Sequence, residues 1–221
     1  VPTATVTRDT VKDDQRQRIL RAVGELVAKR GYNAVTIELI VKRARVSFKT
    51  FYKHFANKEE CFLELFDTVV ARARDQVTAV LVDEGDVPWP QQVVAALHGL
   101  FSVFLADPLI ARAVIVEAPT VGPVIMGRYE EATKALSPLL RLGRELSPHP
   151  EDLPATLEDT LAGGVIWSAY QRLMVGEGDR VETLIPEAVV FVLRPYVGEA
   201  EAAKWADWSQ QQAVEPAAAQ P

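Results

Sequence analysis

Between Ser47 and Phe55 the chain reads SFKTFYKHF, where Lys49, Thr50, Tyr52, Lys53 and His54 all carry hydrogen-bond donors and no residue carries a carboxylate. Side chains of this kind hold anions, because ammonium, imidazole and hydroxyl groups donate to an oxyanion and nothing among them repels it. Thr36, Arg45 and Lys58 extend the set on either side. Bond-making chemistry has no such footprint. The histidines His54, His98 and His149 are far apart and none sits in an H-x-x-x-H arrangement. No Gly-rich phosphate loop, G-x-S-x-G or Cys/His nucleophile pair is present. One cysteine, Cys61, leaves no internal disulfide and no multi-cysteine metal site. No enzyme activity, cofactor or metal is expected.

The donors need a scaffold, and the sequence supplies two short helices. Thr36 and Ser47 each precede an apolar-periodic run, where a hydroxyl accepts from a free N–H of the first turn. Ile37, Ile40, Val41 and Ala44 form the stripe of the first helix, and Phe48, Phe51, Tyr52 and Phe55 that of the second. Ala44-Arg45-Val46 leaves room only for a tight turn, so the helices cross steeply and the second protrudes. A protruding helix of this kind enters the DNA major groove. Phe51 and Phe55 are expected to be core, with Phe48, Lys49 and Thr50 at the helix start, where side chains reach base edges.

In order and without gaps over roughly residues 16 to 66, Arg18-Ile19-Leu20-Arg21-Ala22, Ala28-Lys29-Arg30-Gly31-Tyr32, Thr36, Val46-Ser47, Thr50-Phe51-Tyr52-Lys53-His54-Phe55 and Asn57-Lys58-Glu59-Glu60 resemble the DNA-binding domain of the TetR family of transcriptional regulators. The resemblance implies phosphate contacts from Thr36, Thr50, Tyr52, His54 and Lys58. It also implies a helical C-terminal domain that binds a small molecule and dimerises through its last two long helices. Arg45 departs from the family, which usually has glycine in that turn because glycine accepts positive φ without steric cost. The guanidinium of Arg45 adds a further candidate phosphate contact.

The rest of the chain fits an all-α protein, with an N-terminal three-helix helix-turn-helix domain followed by a helical ligand-binding and dimerisation domain. The 221 residues are 48% hydrophobic, ample for packed cores, and carry a net charge of −6. That charge divides: residues 1–60 hold 13 Lys+Arg against 7 Asp+Glu, and the remaining 161 hold 11 against 23. A basic segment on an acidic body assigns phosphate contact to the first alone. No apolar run approaches the roughly 20 residues of a membrane span, so the expected location is the cytoplasm and no membrane partner is expected. Residues 1–13 read as a flexible arm, 14–58 as the DNA-binding domain, 59–204 as the regulatory domain and 205–221 as a flexible tail. A long helix from Asn57 to about Val82 joins the domains, and one from Pro123 to Leu146 bends near Pro138.

Trp89, Phe101, Phe104, Tyr129, Trp167 and Tyr170 are candidates for lining an apolar ligand pocket, with Glu117 or Arg128 as its polar anchor. Gly163, Gly164 and Ser168 leave a shallow helix surface, against which the stripe of Ile185, Val189 and Val192 on a partner helix can pack. A two-fold dimer built this way sets two recognition helices roughly 34 to 36 Å apart on palindromic operator DNA. The expected protein is a repressor released by a small apolar or aromatic effector. A helical small-molecule-binding or interaction protein without operator binding is the alternative.

Overall fold

The computed structural model describes residues 8–84 and 87–214, and every regular element in them is helical. Helix α1 (Arg8–Arg30) buries Ile19, Leu20, Val23 and Val27 and ends at Gly31, whose φ of 78° suits glycine. It begins within the stretch read as an arm through residue 13. Residues 8–13 carry no apolar period, and a helix held by its own backbone hydrogen bonds does not need one. Residues 1–7 of that arm lie outside the described residues.

Helices α2 (Ile37–Ala44) and α3 (Phe48–His54) follow with the expected caps. Helix α4 (Lys58–Glu84) is 27 residues and thus about 40 Å long. Its start is closed reciprocally: Asn57 Oδ1 accepts from the Glu60 N–H at 2.8 Å, and the Glu60 carboxylate accepts from the Ala56 N–H at 2.6 Å. Beyond it come α5 (Trp89–Ala106), α6 (Pro108–Arg112) and a π-helical turn over Ala113–Glu117. The stretch expected as one bent helix is two, α7 (Pro123–Lys134) and α8 (Ser137–Arg141), because Pro138 cannot donate to the preceding turn and clashes with it. Helices α9 (Leu157–Met174), α10 (Ile185–Val197) and α11 (Glu199–Val214) complete the body.

Helix α11 corrects the expected flexible tail from residue 205. Ala202, Ala206 and Ser209 are buried, and Trp205 and Trp208 pack on the core with their rings edge to face, 5.5 Å apart. Small residues every third or fourth position let this helix lie close on α10, a pattern that Gln- and Ala-rich composition hides. Residues 215–221 lie outside the described residues.

Two apolar cores result. One joins α1, α2, α3 and the first turns of α4, with Phe51, Phe55 and Phe62 almost fully buried, and reaches Ala113, Val114 and Ile125 of the body. The other fills the body around Phe101, Leu193 and Tyr196. Val69 of α4 packs against both, so this helix is a common wall. Within the body, buried Glu158 accepts from Arg144 Nε at 2.7 Å and from the Tyr196 hydroxyl at 3.2 Å, tying α9 to α10 and to the segment after α8.

Candidate nucleic-acid interface and body cavity

The turn before α3 ends α2 in a Schellman arrangement: the Val46 N–H donates to Val41 O at 3.0 Å and the Arg45 N–H to Lys42 O at 3.4 Å. This geometry needs a left-handed residue, and Arg45 supplies it at φ 55°, ψ 48°. It is the sole non-glycine residue with positive φ among the described residues. The conformation costs an L-residue about 1 kcal/mol or more. Arg45→Gly should therefore raise the stability of the free protein by about 0.5–1 kcal/mol while weakening DNA binding, as read by thermal unfolding and a binding titration. A gain in both would remove Arg45 from the interface.

Ser47 Oγ accepts from the Thr50 N–H at 3.1 Å and lies 3.0 Å from the Thr50 hydroxyl, which fixes the start of α3. Thr36 does the same for α2 through the Leu39 N–H at 3.3 Å. Phe51 is fully buried and holds α3 against α1. Its neighbours Phe48 and Tyr52 are 49% and 56% exposed, which for aromatic side chains on a polar helix marks a contact face. Lys49 and Lys53 are exposed beside them and His54 is half-buried. Arg43 does not join this face, because it pairs with buried Glu25 together with Arg21. Lys42, Arg45, Lys49 and Lys53 form no ion pair within the described residues and carry the free positive charge.

Lys58 is differently occupied. Its ammonium donates to Tyr32 O and Val35 O, each at 2.9 Å, and sits 3.9 Å above the Tyr32 ring. Two of its three donors thus fasten the α1–α2 connection onto α4, and burial lowers its pKa. Any phosphate contact is left to the third.

In the body, a cavity of about 320 Å³ opens between α4, α5, α7, α8 and α9. Of the eight pocket candidates, Phe104 and Tyr129 line it. Trp89 instead donates its indole N–H to Leu139 O at 2.8 Å and packs on Tyr196 over Gly143, where a Cβ would meet the indole at 2.3 Å. Phe101 is fully buried core, Glu117 lies against Gly31 at the end of α1, and Arg128 pairs with Asp67. Trp167 and Tyr170 stack on each other outside the cavity, 5.0 Å apart and nearly parallel. The residues missed are those of α4, where Val69, Val70, Ala73 and Val77 turn from core to cavity wall. The signal was an apolar stripe running past the end of the N-terminal core.

The stripe of Ile185, Val189 and Val192 does not face outward: these residues are 5%, 0% and 1% exposed, within the core of their own chain. A three- and four-residue period identifies the buried face of a helix, and here the chain's own α5 and α11 cover it. The outer face of α9 and α10 carries Trp167, Met174 and Phe191, with Val175 just past the end of α9, all exposed. Gly163 and Ser168 border it, and Gly164 admits the Phe191 ring, which a Cβ would meet at 2.6 Å. His149 and Glu151 form an H-x-E pair. With Asp152 they make an exposed trio, His149 Nδ1 lying 3.7 Å from Glu151, as solvated loops commonly do.

Residues 19–65 match the family model described as bacterial regulatory proteins, tetR family. The transcriptional regulator EthR of Mycolicibacterium smegmatis is 25% identical over 185 residues, spanning 82% of this chain and 83% of its own length. A transcriptional regulator of Bacillus subtilis, YhgD, is 32% identical over 87 residues, spanning 39% of this chain and less than half, 44%, of its own. Among solved structures, the fatty acid degradation regulator FadR from Bacillus halodurans superposes with a TM-score of 0.71 at 18% identity, covering 81% of this chain and 94% of FadR. CprB from S. coelicolor does so at 0.67 and 21% identity, covering 91% and 99%. EthR and YhgD are named as transcriptional regulators. No single helix among the described residues is long and apolar enough to cross a membrane.

Proposed function

The chain belongs to the TetR family of transcriptional regulators, and from that membership we propose a cytoplasmic repressor that binds a palindromic operator as a homodimer and leaves it when a small apolar effector fills the body cavity. The carrying observation is the surface of α3, where Phe48, Lys49, Tyr52 and Lys53 stand exposed around a helix pinned from behind by Phe51. Its N-terminal residues read base edges while Thr36, Arg45 and the flanking donors hold phosphates. Pairing through the Trp167 and Phe191 face gives the two recognition helices a two-fold relation. FadR is described as a fatty acid degradation regulator and another structural neighbour as a gamma-butyrolactone receptor, which supports an apolar effector.

Coupling runs through two elements. Helix α4 walls both the cavity and the N-terminal core, so an occupant that displaces its middle also displaces α3. Arg112 is the second. Its guanidinium donates to Ala28 O of α1 at 3.0 Å and to Leu173 O of α9 at 2.6 Å, three residues from the cavity-lining Ile115. The effector acts by binding the DNA-incompetent arrangement more tightly. Arg112→Met should keep operator binding within about threefold yet cut the effector-induced loss of affinity by about tenfold, a coupling change of about 1–2 kcal/mol, in titrations with and without effector. Unchanged coupling would take Arg112 out of the path.

Selection of fragments from a random DNA pool by the purified protein tests the function. Enrichment of an inverted repeat bound by two chains is expected. Failure to enrich any sequence would leave a helical ligand-binding protein without an operator.

A further inference from the structure

The cavity wall has an unusual chemical balance. Of its twenty lining residues, only Arg74, Thr78, Tyr129 and Thr133 have polar side chains, and none is acidic. Thr133 already donates to Tyr129 O at 2.9 Å. The Tyr129 phenol, its pKa pushed up to about 12 by burial and then by Tyr170, stays a neutral donor and meets Ile115 O only at 3.5 Å. Arg74 is different: it is exposed at the rim on α4, one turn before Thr78, and forms no ion pair within the described residues.

Each ligand class meets this wall differently. A sugar or nucleoside would bury hydroxyls and ring nitrogens against Val70, Ala73 and Leu100 with too few partners, and each unpaired group would weaken binding by roughly tenfold or more. A cation would find no carboxylate and would face Arg74. An apolar tail loses nothing on entry. A single anionic group at its end can stay at the hydrated rim, where the planar guanidinium offers a two-pronged donor.

We propose that the molecule this cavity takes is a single-tailed amphiphile with one negative charge, its apolar part lying between α4 and α7 and its anionic group on Arg74. The assignment rests on the reading of the cavity as the effector site, and its test separates the two. The full-length chain is titrated calorimetrically at about pH 7.5 with submicellar decanoate, decanol and decyltrimethylammonium, three probes with one tail and different heads. Wild type, Arg74→Gln, Arg74→Lys and the cavity-filling Ala132→Phe are compared, with circular dichroism as the folding check. Decanoate should bind tightest and the cation weakest. Arg74→Gln should weaken decanoate roughly five- to tenfold and leave decanol unchanged, with Arg74→Lys between, as a solvated ion pair of about 1 kcal/mol requires. Ala132→Phe should abolish binding of both. If the cation binds as well as decanoate, or Arg74→Gln weakens decanol equally, the anionic head group is wrong, while the cavity reading stands on the Ala132→Phe result. If a folded Ala132→Phe binds as wild type does, or wild type binds no probe, the cavity reading falls and takes this assignment with it.

Discussion

Trp167→Glu should leave the chain folded and convert a dimer into a monomer, raising the dimer dissociation constant by more than about 100-fold in sedimentation. Trp167 is 57% exposed and its ring contact within the chain is the stack on half-buried Tyr170, so the change costs that surface stack and no core residue. In the proposed dimer the same ring sits on the paired α9–α10 face, where loss of an aromatic anchor costs about 2 kcal/mol or more and two facing carboxylates add repulsion. Operator affinity should fall in parallel, since each half-site then binds without the effective concentration that its linked neighbour supplies. Ile185→Glu makes the contrast. That residue is buried on the inner face of α10, so its charge would unfold the body and not merely separate the subunits. A dimeric Trp167→Glu would move the interface elsewhere.

The second large effect concerns Glu158, which is 1% exposed. Burial pushes its pKa up, but the hydrogen bond from Arg144 and the smaller contributions beside it outweigh this and leave it below the ordinary carboxylate value. Glu158→Ala leaves the Arg144 guanidinium with only the Leu153 and Pro154 carbonyls and the Tyr196 hydroxyl without its acceptor, and should cost about 3 kcal/mol, lowering the melting temperature by roughly 6–12 °C. Arg144→Met combined with Glu158→Leu should recover most of that loss, because no charge is left unpaired and apolar side chains refill the space. A double variant as unstable as Glu158→Ala would place the effect in packing and not in the stranded charge. Since the folded pKa is depressed, the stabilisation is complete above the unfolded value near 4.5 and is lost as pH falls through the folded pKa. The difference between wild type and Glu158→Gln should therefore shrink below about pH 4.5. A gap that stays constant down to about pH 3 would mean that the charge contributes nothing.

What the sequence made legible was local. Thr36 and Ser47 cap helices one to three residues away, and Phe51 and Phe55 share one stripe, so neighbours in sequence determine their roles. The left-handed turn at Arg45 was open to reading only through the glycine that the family usually has there, since the position and not the residue type demands positive φ. Roles set at a distance stayed hidden. Lys58 is drawn to carbonyls at Tyr32 and Val35, and carbonyls leave no trace in residue identity. Trp89, Phe101 and Phe104 are alike in composition, yet the first two complete cores and the third borders a void, a difference made by helices packed around it. The apolar period on α10 marked its inner face, whereas the face left for a partner shows as isolated exposed aromatics with no period.

Contact between α3 and DNA is read from affinity for the selected duplex as a function of salt, with wild type measured beside a double variant carrying Lys49→Ala and Tyr52→Ala. Wild type should lose affinity steeply, with a log–log slope of about −0.9 for each phosphate neutralised. The double variant should bind more weakly at every salt concentration, with a slope shallower by about one if Lys49 lies on a phosphate. Affinity insensitive to salt, or a folded double variant that binds as wild type does, would mean that α3 is not the DNA-contacting helix.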